Sequence, residues 1–244
     1  SSDGAVVWSV NQAGSGDTVE PVELPAISPT VRSSLAYGVN NQGMIAGASH
    51  YSESDPVPVH AVVWTGNDSS YEVLDLGVLP GSFEGSDAHS ISEPDDSGFV
   101  WVAGESGYYD PAAQASVSHA VLWKVDPDPD QPSVVLMLDL APSESFVHAN
   151  DVKVIDGSVL VAGRIGPQAV IWMVSLGGVV SAPVPIAGTG DIEPLEANAL
   201  NNDGDVVGQA WVGSVQNGFL YDGAEMTDLG SLANFGSYAS GIND

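Results

Sequence analysis

Short apolar runs rich in Val, Ile, Leu and Trp recur along the whole chain, each closed off by Gly, Asn, Asp or Pro. Runs of this length with β-branched and aromatic residues between turn formers predict strands. They sort into four kinds that return in a fixed order. One kind is a small residue, branched apolars and an aromatic: Ala5 to Trp8, Ala61 to Trp64, Ala120 to Trp123, Ala169 to Trp172 and Gly218 to Tyr221, spaced by 56, 59, 49 and 49 residues. A second kind trails each of these: Val22 to Leu24, Leu74 to Gly77, Leu138 to Leu140, Val184 to Ile186 and Thr227 to Gly230. The third begins with Ala: Ala36 to Asn40, Ala88 to Ile91, Ala149 to Val152, Ala197 to Asn201 and Ala239 to Asn243. The fourth closes on Gly: Met44 to Gly47, Val100 to Gly104, Leu160 to Gly163 and Val206 to Gly208.

The third and fourth kinds are joined by Asn41-Gln42-Gly43, Asp96-Ser97-Gly98, Asp156-Gly157 and Asp203-Gly204, residues that tolerate the positive φ of tight hairpins. Antiparallel hairpins follow. Four strands per unit of about 40 to 60 residues is the arithmetic of a β-propeller blade, a small sheet that buries its faces only when neighbours stack on it. The expectation is a single all-β domain over residues 1–244, a β-propeller of five blades of about four antiparallel strands. A two-sheet β-sandwich is the competing fold, and an arc of a larger propeller is the alternative if the protein is longer. The Ala-started strand is placed innermost, followed outward by the Gly-ended, Trp-ended and Asp-Leu strands. Small residues then sit where blades converge and Trp fills the wider gap outside. The two chain ends are expected to share one blade, which lacks its Gly-ended strand.

The ordered grammar Ala-x-Gly-Ile-Asn, Val-Val-Gly, His-Ala-x-x-Trp, Asp-Leu-Gly resembles the extracellular HAF repeat family. It is carried by Ala239 to Asn243, Val206 to Gly208, His60 to Trp64 with His119 to Trp123, and Leu74 to Gly77 with Thr227 to Leu232. Val22 to Ile27, Val184 to Ile186 and Lys153 to Gly157 depart from it. The resemblance implies secretion and a propeller-like array; the family brings no catalytic residues to carry over.

Composition agrees with the pattern and narrows the partners. Gly and Pro number 28 and 16, too frequent for long helices, while 43% hydrophobic residues suffice for a core. No apolar run approaches the roughly 20 residues of a membrane-spanning helix. Against 32 acidic residues stand only Arg32, Lys124, Lys153 and Arg164, a formal charge of -28. Such a field repels phosphate backbones and anionic lipid, so nucleic acid and membrane insertion are not expected. The absence of Cys excludes disulfides and thiolate chemistry. The composition fits an extracellular or cell-surface protein in salty, calcium-rich water, and Ser1 reads as the start of a processed fragment of a longer secreted one.

Catalytic motifs are missing: Gly104-Glu105-Ser106-Gly107 has the wrong spacing for a nucleophile elbow, and Gly14-Ser15-Gly16 lacks the third glycine of a phosphate loop. His60 and His119 share one repeat position and read as structural, while His89 and His148 begin inner strands without metal-ligand spacing. Asp126, Asp128 and Asp130 put three carboxylates within five residues, the donor type calcium takes, although the intervening prolines send alternate side chains apart. Segments after the second strands open with Tyr51, with Tyr108 and Tyr109, and with Trp211, rings suited to stacking on sugars from one face of the disc. The chain is therefore expected to be a non-catalytic recognition module binding glycan or a cell-surface protein. The alternative is a propeller carbohydrate-active enzyme, a glycoside hydrolase or lyase with acidic channel residues, against which the inner strands read as poor in acids.

Overall fold

The computed structural model describes residues 4–8, 21–30, 33–51, 59–67, 70–81, 84–110, 115–232 and 235–244. Among them there is no helix. Among the described residues strands β1 (Val6–Val7) and β2 (Val22–Glu23) pair with each other alone. Four four-stranded sheets follow. The first holds β3 (Ser34–Val39), β4 (Ile45–His50), β5 (Val59–Asn67) and β6 (Ser70–Gly77). In the second are β7 (Gly85–Ile91), β8 (Val100–Asp110), β9 (Ala115–Asp126) and β10 (Ser133–Asp139). The third comprises β11 (Val147–Ile155), β12 (Ser158–Ile165), β13 (Gln168–Ser175) and β14 (Val184–Pro185), and the fourth β15 (Ile192–Leu200), β16 (Val206–Val212), β17 (Val215–Tyr221) and β18 (Met226–Gly230). Each is an antiparallel meander in chain order, so the four sequence elements map one to one onto strand positions.

The turn residues act as their chemistry requires. Asn40 Oδ1 accepts the N–H groups of Gln42 and Met44 at 3.1 and 3.0 Å. Asn201 Oδ1 does the same for Asp203 and Asp205 at 3.1 and 2.8 Å, and Asp95 Oδ1 for Ser97 and Phe99 at 2.9 and 3.1 Å. A side-chain acceptor at this point holds the hairpin that leads from first to second strand.

Consecutive sheets pack face to face. Met44, Ala46, Ala61 and Val63 meet Ala88, Ile91, Val102 and Trp123 across the first junction. Trp101, Ala103 and Leu122 meet Val147, Ala149, Val152 and Trp172 across the second, and Ala162 and Ala169 meet Ala197, Leu200 and Phe219 across the third. Trp64, Trp101, Trp123 and Trp172 are fully buried, each worth about 1.5–3 kcal/mol or more by area. The second-strand glycines have a steric reason: a Cβ on Gly47, Gly104, Gly163 or Gly208 would lie 2.0, 1.9, 1.9 or 2.0 Å from the first-strand carbonyl oxygen of Leu35, Asp87, His148 or Glu196, and on Gly47 or Gly163 also 2.8 or 2.9 Å from Cζ3 of Trp64 or Trp172. The first strands also adjoin, β3 to β7, β7 to β11 and β11 to β15. His89 Nδ1 lies 3.1 Å from the carbonyl of Ala149, Asn150 Nδ2 donates to Ala197 at 2.9 Å, and Asn198 Nδ2 donates to Ala239 at 2.8 Å.

That last bond places residues 235–244 against the fourth sheet as a further first strand would lie, helped by Ser237 N donating to Gln216 O at 2.8 Å and Ala239 N to Gly208 O at 3.2 Å. At the other end β1 and β2 cover the first sheet: Leu24 packs with Ile45, Val62 and Trp64, whose Nε1 donates to Pro25 O at 2.7 Å. The expectation that the two ends share one sheet is not met among the described residues, where no hydrogen bond joins them. No second strand lies between them among those residues. Among the described residues the fold is thus four full sheets flanked by two part-filled units.

Candidate functional site

Cross-strand register assembles a polar row that runs across three sheets. In each pair of first and second strands, the residue before the inner Ala lies opposite the residue after the Gly: Asp87 opposite Glu105, His148 opposite Arg164, Glu196 opposite Gln209. Neighbouring sheets connect these pairs. Glu105 Oε2 is 2.8 Å from His148 Nδ1, and Arg164 Nε is 3.3 Å from Glu196 Oε1. Arg164 Nη2 donates to His148 Nε2 at 3.0 Å, while Asn150 Nδ2 and Gln209 Nε2 donate to Glu196 at 3.0 and 2.8 Å. The side chains of this row are half-buried.

Asp87 and Glu105 are driven in opposite directions. Burial pushes the Asp87 carboxyl up, and the charge of Glu105 adds to this against the pull of His89 and His50. Burial acts on Glu105 too, but the hydrogen bond and charge of His148, with His89 and Arg164 beyond, outweigh it and hold that carboxyl below its usual range. The sequence pattern leaves these acids unmarked, because the recurrent Ala and Gly are neither the start of the first strands nor the end of the second. The strands extend beyond both, and the recurrent polar residue beside the Ala and the Gly was the available signal.

The row leads into a cleft. Two residues beyond Gln209, Trp211 lies opposite Glu193, and both line a hollow of about 560 Å³ with Pro167, Gln168, Gly188 and Pro194. Trp211 is 41% exposed. A large ring open to solvent beside an amide and a carboxylate can stack on an apolar face of a ligand while its hydroxyls are bound.

The other expected rings are elsewhere. Tyr51 is exposed and stacks on His60 of its own sheet, ring centroids 4.9 Å apart at 2°. Tyr108 is half-buried within β8, and the side chain of Tyr109 lies outside the described residues. These positions belong to the first, second and fourth sheets, and of them only Trp211 lines the cleft. Tyr108 and Trp211 are strand residues, since the hairpins of second and third strands run on past the point where loops were expected.

Asp126, Asp128 and Asp130 form successive turns. Asp126 Oδ1 accepts Asp128 N–H at 3.1 Å and Asp128 Oδ1 accepts Asp130 N–H at 2.9 Å. Among the described residues no group of three or more His, Cys, Asp or Glu converges as a metal site. His60 and His119 bind the Asp of the outer strand: His60 Nδ1 is 2.9 Å from Asp75 and His119 Nδ1 2.7 Å from Asp139. Each Asp also accepts a backbone N–H two residues on, from Gly77 at 2.8 Å and Ala141 at 3.0 Å. Asn217 and Asp228 make the equivalent pair in the fourth sheet at 2.9 Å, with Gly230 N donating to Asp228. The His and Asp-Leu elements are therefore one structural tie between third and fourth strands.

No family model matches the chain, and no curated protein matches it. Among solved structures it is similar to the β-propeller domain of the Trilobed protease from Pyrococcus furiosus, described as an open velcro topology, with 11% identity, a TM-score of 0.35, and coverage of 86% of this chain and 75% of that one.

Proposed function

We propose that the protein is a secreted, non-catalytic recognition module, a β-propeller-like array of HAF-type repeats that binds neutral glycan in the cleft at Trp211. The observation that carries this reading is the exposed Trp211 ring, set beside Glu193 and Gln168 in a hollow of about 560 Å³. That is within the usual range for small-molecule sites. The formal charge of -28 supports a neutral ligand over an anionic one and an extracellular setting over one rich in nucleic acid. The ordered repeat grammar, the meander sheets and their face-to-face stacking support the propeller arrangement.

The test is binding to a panel of neutral oligosaccharides by glycan array and calorimetry, with Trp211→Ala and Glu193→Gln beside the parent. A loss of at least tenfold in Trp211→Ala, with Tyr51→Ala and Tyr108→Ala near parental, is expected. Unchanged binding in Trp211→Ala, or no binding to any glycan, overturns the reading.

A second reading, a glycoside hydrolase or lyase, draws on one observation. Asp87 and Glu105 face each other across a strand pair with oppositely displaced acidities, the arrangement by which one carboxyl keeps its proton while its neighbour stays charged. Release of reducing ends from polysaccharides, abolished in both Asp87→Asn and Glu105→Gln, would favour it over simple binding.

A further inference from the structure

Phe146, the residue before β11, is unfavourable to the fold in two ways. Its side chain is 47% exposed, and its backbone lies in the left-handed region at φ 62°. An L residue rarely adopts that conformation, which crowds its Cβ against the following carbonyl. Asp156 is the other described non-glycine residue with a positive φ, at 48°, and it has a local reason, since it heads the tight Asp156-Gly157 hairpin. Phe146 ends the link from β10 to β11. Neither Gly85 nor Glu193, at the same register place in the neighbouring sheets, has a positive φ. The conformation is held by its surroundings: Gly166 N donates to Phe146 O at 3.1 Å, and Arg164 Nη1 donates to Gly166 O at 3.0 Å. A strained backbone that carries a large ring into solvent adds little to the core, and such outliers cluster where ligands are gripped.

Register sets Phe146 level with the Trp211 cleft. In the fourth sheet Ala197 lies opposite Gly208, and Glu193 lies opposite Trp211, three residues beyond the Gly. In the third, Ala149 lies opposite Gly163 and Val147 opposite Ile165, so the place three residues beyond the Gly belongs to Phe146 with Gly166. One strand pair thus carries Trp211 and its neighbour carries Phe146 at the same height. β11 and β15 adjoin, and the ion pair of Arg164 and Glu196 bridges the two sheets at 3.3 Å, two residues nearer the inner Gly. Between the rings stands the Gly166-Pro167 turn: Gly166 is bonded to Phe146, while Pro167 and Gln168 line the cleft. Packed sheets lie about 10 Å apart, a gap that a short oligosaccharide spans and a single sugar does not.

We propose that Phe146 is a second stacking subsite, so that the protein takes an extended neutral oligosaccharide laid from Trp211 across the Gly166-Pro167 turn. This inference rests on the glycan reading of the Trp211 cleft. Each ring offers an apolar face to one sugar. Two such faces, held apart by packed sheets, make affinity depend on chain length, because a short ligand reaches one ring and a longer one engages both.

Calorimetry on the whole chain with gluco-, manno- and xylo-configured disaccharides and hexasaccharides tests this. In the series that binds, the hexasaccharide should bind the parent at least tenfold more tightly than the disaccharide. Phe146→Gly should abolish that gain while disaccharide affinity stays near parental, and Phe146→Tyr should keep the gain. Because Gly adopts the left-handed conformation freely, the Tm of Phe146→Gly should exceed that of Phe146→Ala, by about 2–4 °C, which separates lost binding from lost folding. Equal affinity for both lengths in the parent, a hexasaccharide affinity unchanged by Phe146→Gly, an equal loss for both lengths, loss of the gain in Phe146→Tyr, or a Tm of Phe146→Gly below that of Phe146→Ala overturns the second subsite and leaves the cleft reading standing. Absence of glycan binding, or binding indifferent to Trp211→Ala, overturns the cleft reading and this inference with it.

Discussion

Asp151 is the side chain on which three sheets converge, and its removal should be felt by all of them. It sits on β11 and is 9% exposed. Its Oδ1 accepts the hydroxyl of Ser90 on β7 and the N–H of Val152 at 2.9 Å, and its Oδ2 accepts the N–H of Leu200 on β15 at 2.8 Å. Hydrogen bonds to a charged acceptor are each worth about 1.5–3 kcal/mol. Some of that is offset, because Asp151→Ala also removes one negative charge from a strongly acidic molecule and a desolvation cost. The Leu200 N–H is nevertheless left buried, and the Ser90 hydroxyl half-buried, without their acceptor, and a net loss of about 3–5 kcal/mol is expected. For a domain of this size that is a fall of about 6–20 °C in Tm. Asp151→Asn keeps the shape but turns an NH₂ toward one of the donors, so it should recover less than half of the loss. Urea unfolding followed by Trp fluorescence and far-UV circular dichroism measures both variants, with Asp130→Ala at an exposed turn as a control expected within about 0.5 kcal/mol of the parent. A loss below about 1 kcal/mol in Asp151→Ala, or parental stability in Asp151→Asn, would refute the account of Asp151 as a tie between sheets.

Four further outcomes are expected. Although burial raises it, the Asp75 carboxyl is held below its ordinary value by His60 and the Gly77 N–H, so its contribution is present above the unfolded value and lost as pH falls through the folded one; Asp75→Asn should lower the urea midpoint at pH 7 and converge on the parent in acid. Asp87 has the opposite sign: its raised value means that the charged form costs stability at neutral pH and that the cost is relieved as pH falls, so Asp87→Asn should raise the midpoint at pH 7, with the difference closing in acid. Gly163→Ala drives a Cβ into the carbonyl of His148 and the Trp172 ring and should cost about 1–3 kcal/mol or more by the same assay. Sodium chloride should raise the Tm by screening repulsion among 32 acids, and calcium at matched ionic strength should add nothing, because Asp126 and Asp128 spend an oxygen each on local turns; a calcium-specific rise abolished by Asp128→Ala would contradict this.

The strands were legible because their chemistry is local. An Ala, a Gly, a Trp and an Asp-Leu each carry a steric or hydrogen-bonding reason that repeats in most units, so Gly47 and Gly163 or His60 and His119 announce one another. Strand lengths were less legible, since β8 runs on to Asp110 and β16 to Val212, well past the glycines that were read as their ends. That is why the polar row escaped notice. Asp87, Glu105, His148, Arg164 and Glu196 differ in type from unit to unit, so their shared place beside the Ala or the Gly is a weak signal until the register of paired strands sets them on one line. Trp211 was picked out as an exposed ring, but its partners Gln168 and Glu193 come from other strands and follow from packing alone. Among the described residues no strand joins the two ends, and the Gly-ended element appears in four copies where the other kinds appear in five.

The ties between first strands, His89 to Ala149, Asn150 to Ala197 and Asn198 to Ala239, each reach only the next sheet along. Stability in such an arrangement is a sum of units and nearest-neighbour junctions. Amide protons should therefore exchange with solvent in a gradient along the array. Those of β8 and β12, flanked by full sheets or ordered strands on both sides, will be slowest, and those of β1 and residues 235–244 fastest. A lesion at one junction then uncouples the molecule at that point while leaving the remaining sheets folded, so damage divides the chain into independently melting segments.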